Sequence, residues 1–130
     1  MIEIAMNHRI QRVVEPCYTA ASLKSGLLEV LATPIMIAWM EECCMECVQS
    51  RLEEGESTVG TLVNVTHEAP TPVGGAVTIN CFLRQVDGRR LVFAVEASDQ
   101  SGIIGRGSHE RFIVDSVKFQ AKCDKKKENR

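Results

Sequence analysis

The chain has 130 residues, of which 45% are hydrophobic and 25% are charged. This length corresponds to one domain, and the average composition argues against a disordered chain or a coiled coil. A net charge of −2 and an aromatic content of 5% argue against a protein that binds nucleic acid or a membrane surface. We therefore expect a single domain over residues 1–130.

Neither a membrane span nor a secretion signal is expected. No apolar run approaches the roughly 18 residues that are needed to cross a bilayer. Glu3, His8 and Arg9 stand close together near the N-terminus, which is unlike the pattern of a signal peptide. We accordingly expect a cytoplasmic protein.

Six cysteines in such a protein predict reduced thiols rather than a disulfide framework. Cys44 and Cys47 have the C-x-x-C spacing, but no second pair at matching spacing completes a zinc site. We expect no metal, and we interpret these two residues and Cys43 as small buried residues of a helix. A thiol-based redox or metal protein is the alternative.

The first predicted elements are a strand over Arg9–Val14 and a long helix from about Pro34 to Arg51. Thr33 suits the N-cap of this helix, and Pro34 suits its first position because the missing N–H is not needed there. Apolar residues recur at roughly helical spacing from Met36 onward. At about 18 residues this helix would be roughly 27 Å long.

Four further strands are predicted after the helix. Each is rich in Val, Ile, Thr and Phe and alternates in part between apolar and polar residues. The intervening segments contain turn residues, and Asp87-Gly88 is the strongest signal for a tight hairpin. Short turns join these strands into an antiparallel meander. The predicted strands are Thr58–His67, Ala76–Val86, Arg89–Ala97 and Ile103–Val114.

The chain ends in a basic segment. Residues 122–130 carry five basic and two acidic side chains. A charge run at a terminus predicts a solvated, mobile tail, and attraction of an anionic ligand is the alternative.

Together these elements predict an α+β domain with one helix on one antiparallel sheet. The helix must bury its apolar face, and the sheet offers the one large surface for it. The sheet also keeps two edge strands, and an edge strand commonly pairs with a second copy of the chain. We therefore expect a homodimer.

Four side chains could carry chemistry, although each has an ordinary structural role as its alternative. His67 ends a predicted strand, and His109 lies within the last strand. Glu41 lies on the more apolar side of the helix, where a carboxylate without a partner is costly. Thr33 lies at the helix N-terminus, where free N–H groups can hold an oxyanion.

Thr33 and Glu41 are eight residues apart, which is about 12 Å along one helix. They cannot readily hydrogen-bond to each other within one chain. Either they touch different parts of a long ligand, or one site combines Thr33 of one protomer with Glu41 of another.

The sequence resembles the fluoroacetyl-CoA thioesterase family of the hotdog-fold superfamily. The resemblance covers roughly residues 9–122, and it rests on the order and spacing of several short motifs. These are Ala32-Thr33, Met40-Glu41, Glu54-Gly55-Glu56-Ser57, Val59-Gly60-Thr61, Val65-Thr66-His67, Val86-Asp87-Gly88-Arg89-Arg90-Leu91, and His109-Glu110-Arg111. It implies a hotdog fold, in which an antiparallel sheet wraps around one long central helix.

The resemblance implies hydrolysis of a small acyl-CoA thioester, without a metal or an organic cofactor. The family's catalytic threonine, glutamate and histidine fall on Thr33, Glu41 and His67. Glu41 would act as nucleophile or general base, His67 would activate water, and Thr33 would orient the carboxylate or the thioester oxygen. Gly60 N–H would bind the oxyanion, and Arg111, which matches an arginine close to the family's active site, would help to bind the oxyanion or the substrate. Lys or Arg side chains would meet the CoA phosphates.

One segment departs from the family. The fluoroacetyl-specific enzyme covers its pocket with a phenylalanine-rich lid just before the threonine. Here residues 20–32 contain no aromatic side chain, and Lys24 and Leu27 stand where lid phenylalanines are expected. The resemblance therefore extends to thioester hydrolysis but not to fluoroacetyl selectivity. A non-catalytic acyl-CoA or small-molecule binding module on the same fold is the alternative.

Overall fold

The computed structural model describes residues 2–129 and contains a five-stranded antiparallel sheet and one long helix. The strands are β1 (Asn7–Val13), β2 (Glu56–His67), β3 (Ala76–Asp87), β4 (Arg90–Asp99) and β5 (Gly102–Asp115). The helices are α1 (Ala20–Leu23), α2 (Thr33–Gln49) and α3 (Ser116–Asp124). Two 3₁₀ turns cover Pro16–Tyr18 and Lys125–Asn129. The predicted α+β class is confirmed.

The strand order in the sheet is β1-β3-β4-β5-β2, and every neighbouring pair is antiparallel. The β3–β4 hairpin turns at Asp87-Gly88 as predicted, and Gly88 has a φ of 62°, a left-handed conformation that favours glycine. Each predicted strand corresponds to an observed one within a few residues at either end. The four strands after α2 therefore follow the sequence pattern closely.

Helix α2 packs against one face of the sheet and forms the core with it. Its buried residues are Met36, Trp39, Met40, Cys43, Cys44, Cys47 and Val48. Strand β4 buries every second residue from Leu91 to Ala97 against them, which is the alternation that a sheet with one covered face requires. The predicted apolar face of the helix is confirmed.

The start of α2 differs from the prediction. Ala32 is the N-cap residue and makes no side-chain capping bond, so the prediction that Thr33 caps the helix is wrong. Thr33 is the first residue of the helix, and its hydroxyl oxygen contacts His67 instead of a backbone N–H. A long-range contact has replaced the local one that the sequence favoured.

Helix α3 was not predicted from the sequence. It begins directly after β5, where the Asp115 carboxylate accepts a hydrogen bond from Lys118 N at 3.0 Å. The helix and the 3₁₀ turn after it include residues 122–129 of the basic segment, and Arg130 lies outside the described residues.

The edges of the sheet are strands β1 and β2. Residues 60–64 in the middle of β2 are exposed, including Leu62 and Val63. Within residues 2–129 the outer edge of β2 has no strand partner. No helix in this part of the chain is both long and apolar enough to cross a membrane.

Candidate active site

Two groups of polar side chains lie beside α2. The threonine–histidine pair consists of Thr33 and His67. The glutamate cluster consists of Glu41, Thr58, Gly60, His109 and Arg111. All five residues that the sequence assigns to the site fall within these two groups.

The threonine–histidine pair forms where the start of α2 meets the end of β2. Thr33 is the first residue of the helix and His67 is the last residue of the strand. Thr33 Oγ1 lies 2.7 Å from His67 Nδ1, a hydrogen bond whose direction depends on the tautomer of the ring. The pair joins residues 34 positions apart, so the fold and not the local sequence brings them together.

The other nitrogen of His67 has no partner. Nε2 is buried and makes no hydrogen bond to any of the described residues. Such an atom is rare in folded proteins and requires an explanation. Burial also lowers the pKa of His67 below its ordinary value. At neutral pH the ring is therefore neutral, and one of its nitrogens keeps a lone pair that can accept a proton.

A cavity of about 270 Å³ adjoins this pair. Its wall comes from the end of β2, the residues after it, and the segment before α2. The lining residues are Ala20, Ser25, Val30, Leu31, Thr33, His67, Glu68, Ala69 and Pro70. A volume of this size admits a small group beside the histidine.

The segment before α2 covers one side of this cavity without any aromatic side chain. It contains α1 and then Lys24, whose φ of 61° ends that short helix in a left-handed conformation. Neither Lys24 nor Leu27 lines the cavity, and Leu27 is 94% exposed. The two positions expected to carry lid side chains therefore leave the cavity open.

The glutamate cluster lies in the middle of α2, opposite β2 and β5. The Glu41 side chain is 42% exposed, and its Oε2 lies 4.0 Å from Arg111 Nη1. The guanidinium is buried and also donates from Nε to Thr58 Oγ1 at 2.8 Å and from Nη2 to Thr58 O at 2.9 Å. Burial lowers the pKa of Arg111, and the Glu41 carboxylate opposes that shift. Glu41 thus faces a cation that the sheet holds in place.

His109 completes this cluster, although the sequence analysis assigned it no role. It lies two residues before Arg111 on β5, so both side chains point to the same face of the sheet. Its Nε2 lies 3.1 Å from Arg111 Nη1, and its Nδ1 lies 2.8 Å from Leu62 O. Burial lowers the pKa of His109. The H-x-R spacing on a strand was the signal that could have revealed this pair.

Gly60 lies against the Glu41 carboxylate at a β-bulge. The β2–β5 register shifts between Gly60 and Leu62, and bulges of this kind often redirect groups next to active sites. A Cβ atom on Gly60 would lie 2.7 Å from Glu41 Oε2 and 3.2 Å from His109 Cε1. A larger residue at this position would therefore displace the Glu41 carboxylate from its place beside Gly60.

The two groups remain separate within one chain. No hydrogen bond or ion pair among residues 2–129 links the threonine–histidine pair to the glutamate cluster. Thr33 and Glu41 are eight positions apart on the helix, which corresponds to about 12 Å along α2. The structure therefore brings Thr33 to His67, and Glu41 to Gly60 and Arg111, but it does not join all five.

The cysteines of α2 belong to the core. Cys43, Cys44 and Cys47 are buried as predicted, and Cys81 of β3 packs against them with its thiol donating to Cys43 O at 3.6 Å. A hydrogen bond with Cys81, with help from His8, lowers the pKa of Cys47 to about 7. In the described part of the chain, no three His, Cys, Asp or Glu residues are placed to hold a metal ion.

Comparison with known proteins identifies the family. The model of the family described as fluoroacetyl-CoA-specific thioesterase matches residues 14–117. The fluoroacetyl-CoA thioesterase of Streptantibioticus cattleyicolor is 45% identical over 98 residues, which cover 75% of this chain and 70% of that protein.

Solved structures agree with this result. The fluoroacetyl-CoA thioesterase FlK superposes with a TM-score of 0.92 at 37% identity, covering 97% of this chain and 98% of that one. A thioesterase superfamily member from Thermus thermophilus superposes with a TM-score of 0.91 at 29% identity, covering 99% and 96%. The architecture is the hotdog fold, and the chain belongs to the fluoroacetyl-CoA-specific thioesterase family.

Proposed function

We propose that this protein hydrolyses small acyl-CoA thioesters in a homodimer whose active sites are shared between two chains. Each site combines Thr33 and His67 of one chain with Glu41 and Gly60 of the other. The observation that carries the proposal is the unpartnered His67 Nε2 beside a cavity, with the carboxylate of the same chain held elsewhere along α2. The family and the acetyl-CoA bound in a structure of FlK support the substrate class.

The geometry of β2 supports the shared site. Gly60 and His67 lie seven residues apart on this edge strand, and the exposed Leu62 and Val63 lie between them. Two copies of β2 can pair antiparallel about a two-fold axis between Val63 and Asn64. This register puts Gly60 of one chain opposite His67 of the other. The same pairing covers the exposed edge and its apolar side chains.

Each residue then has a chemical role at the thioester. The neutral His67 ring accepts a proton from water at Nε2 if its Nδ1–H donates to Thr33 Oγ1, so Thr33 fixes the reactive tautomer. Glu41 either attacks the carbonyl carbon as nucleophile, forming an acyl-enzyme that water then hydrolyses, or as general base takes up a proton from the water that attacks that carbon. Gly60 N–H stabilises the negative oxygen. The C–S bond breaks, CoA leaves as the thiolate and takes up a proton, and water supplies the new carboxylate oxygen.

The cavity supports a small acyl group. Its volume of about 270 Å³ is at the low end of small-molecule sites, and its wall contains no Phe, Tyr or Trp side chain. The proposal therefore names a small acyl-CoA and not fluoroacetyl-CoA in particular. The six free cysteines suit a reducing compartment, which supports the proposed cytoplasmic location.

Complementation between two inactive variants tests the shared site. Glu41→Gln and His67→Ala each disable both sites of a homodimer, whereas a mixed dimer pairs an intact His67 with an intact Glu41 at one site. Co-expression in equal amounts should restore about one quarter of wild-type turnover, because half of the dimers are mixed and each has one intact site. The measurement is release of free thiol from a panel of short acyl-CoAs.

The matched control co-expresses the double variant Glu41→Gln/His67→Ala with either single variant, and no activity should return. Equal activity in both mixtures would contradict the shared site. If the wild-type protein releases no thiol from any acyl-CoA but CoA esters raise its melting temperature, the protein is the non-catalytic binding module instead.

A further inference from the structure

The contact between His109 and Arg111 has defined hydrogen-bond roles. A guanidinium has only donors, so Arg111 Nη1 donates to His109 Nε2 across 3.1 Å. Nε2 must therefore carry a lone pair, and the proton of the neutral ring is on Nδ1. From there it is donated to Leu62 O at 2.8 Å. One tautomer of His109 satisfies both neighbours, and the ring is almost completely buried.

The His109 ring supplies a hydrogen-bond acceptor for the Arg111 guanidinium, in addition to those of Thr58. Nε and Nη2 of Arg111 donate to the hydroxyl and the carbonyl of Thr58. Nη1 is the nitrogen that faces Glu41 Oε2, and His109 supplies its protein acceptor. The orientation of the group that faces the carboxylate therefore depends on His109.

We propose that His109 is a positioning residue for Glu41, acting through Arg111. The inference rests on the proposed function, since it concerns the carboxylate of that site. His109 accepts from the guanidinium, the guanidinium lies 4.0 Å from the Glu41 carboxylate as an ion pair, and Glu41 Oε2 lies next to Gly60, where a Cβ atom would approach it to 2.7 Å.

The surrounding charges are consistent with a neutral His109. The charged groups that act on it are Arg111 and Glu110 of β5 and Glu41 of α2. A second cation next to the buried guanidinium would be repelled by it, and both ring nitrogens would then be donors. Burial and Arg111 together lower the pKa of His109, although the two carboxylates oppose the shift. The ring therefore remains an acceptor for Arg111 at neutral pH.

Two amide variants separate positioning from packing. In His109→Gln the amide reaches the place of Nε2 and can accept from Arg111, whereas in His109→Asn it reaches only the place of Nδ1 and can donate to Leu62 O. Both variants lose the ring. We expect His109→Asn to lower kcat about 100-fold with little change in KM, because a carboxylate displaced by about 1 Å loses reactivity on that scale. His109→Gln should stay within about threefold to tenfold of wild type.

A purely structural role predicts a different pattern. It predicts equal losses in both variants that follow their melting temperatures, and this result would overturn the proposal. In a Glu41→Gln background, His109→Asn should cause no further loss of kcat, because the carboxylate it positions is already absent. An additional loss of the same 100-fold would contradict action through Glu41.

A readout that does not need turnover separates this inference from the proposed function. Nitrogen NMR of the labelled protein should show His109 protonated at Nδ1 and unprotonated at Nε2 at neutral pH. Detection of the other tautomer, or of a charged ring, would overturn the positioning role even in an active enzyme. If the tautomer is as expected and no acyl-CoA is hydrolysed, the thioesterase proposal fails, and with it the role toward Glu41.

Discussion

The two groups of polar residues beside α2 differ in how completely their polar atoms are hydrogen-bonded. The threonine–histidine pair has one hydrogen bond, a buried nitrogen without a partner, and a cavity next to it. In the glutamate cluster, by contrast, Arg111 donates to both Thr58 and His109, and His109 contacts Leu62. In the first group, one nitrogen remains available to hydrogen-bond a substrate or water. In the second, the donors and acceptors bond to one another beside one carboxylate.

This difference has an energetic consequence. Buried donors and acceptors that lose a partner cost about 1–3 kcal/mol each, so the glutamate cluster should contribute to stability as well as to activity. The threonine–histidine pair lies at an exposed helix start, and a hydrogen bond there contributes little to stability. Substitutions in the two groups should therefore affect stability very differently.

The largest expected effect is that of Arg111→Met. It removes the donors that Thr58 O and His109 Nε2 now accept from. We expect the free energy of unfolding to fall by about 3 kcal/mol, together with loss of most thioesterase activity. Urea denaturation measures the first effect and thiol release the second.

Arg90→Met is the matched control for this substitution. Arg90 lies on the neighbouring strand and pairs with Glu110 at 2.8 Å, but its side chain is 40% exposed. Its loss should cost less than about 1 kcal/mol. Equal destabilisation by the two substitutions would remove the distinction between the glutamate cluster and an ordinary surface pair.

A smaller total effect is expected for Gly60→Ala, which should act almost entirely on activity. The new Cβ would lie 2.7 Å from Glu41 Oε2, so the carboxylate must move. Since the Glu41 side chain is 42% exposed, it can turn toward solvent, and stability should change by less than about 1 kcal/mol. Displacement of the reacting group should lower kcat about 100-fold.

The control for Gly60→Ala is the same substitution in a Glu41→Gln background. There the loss should largely disappear, because the displaced group is no longer a carboxylate. A full additional loss in that background would show that Gly60 acts independently of Glu41, for example through its N–H alone.

The smallest effect is expected at the threonine–histidine pair. Thr33→Val keeps the shape of the side chain but removes the hydroxyl that contacts His67 Nδ1 at 2.7 Å. Loss of this bond should lower kcat about 10-fold, equivalent to about 1.4 kcal/mol, while the melting temperature stays nearly constant. Thr33→Ser retains the hydroxyl and should be close to wild type. A valine variant that loses stability but keeps its kcat would reverse the comparison.

Most of the fold could be predicted from the sequence because its signals are local. Alternation over 76–99 and the Asp87-Gly88 turn give β3 and β4, and helical spacing from Met36 to Cys47 gives α2. Helix α3 was not predicted because its cap residue, Asp115, is also the last residue of strand β5. The alternating strand pattern before it therefore concealed the helix start. The wrong cap assignment of Thr33 has a long-range cause. Local sequence predicts that its hydroxyl bonds to a backbone N–H of the helix, but in the folded chain the hydroxyl bonds to a distant histidine.

The sequence named candidate residues but not how they are arranged. Thr33, Glu41 and His67 were candidates from their positions, and the resemblance gave them catalytic roles and added Gly60 and Arg111. Their grouping depends on contacts between residues far apart in the chain, such as Thr33 with His67 and Glu41 with Arg111, and neither periodicity nor composition reports on such contacts. His109 was a candidate without an assigned role for the same reason, because its contacts with Arg111 and Leu62 are visible only in the folded chain.

The sequence by itself determined the α+β fold class and which side chains of α2 and β4 face the core, because burial follows from the spacing of apolar residues along each element. The tertiary structure alone decided that α2 carries two separate polar groups and that His67 keeps an unpartnered nitrogen. It also decided that a buried histidine and a buried arginine lie next to Glu41. These features depend on how β2 and β5 lie against α2, and that arrangement follows from packing across the whole domain.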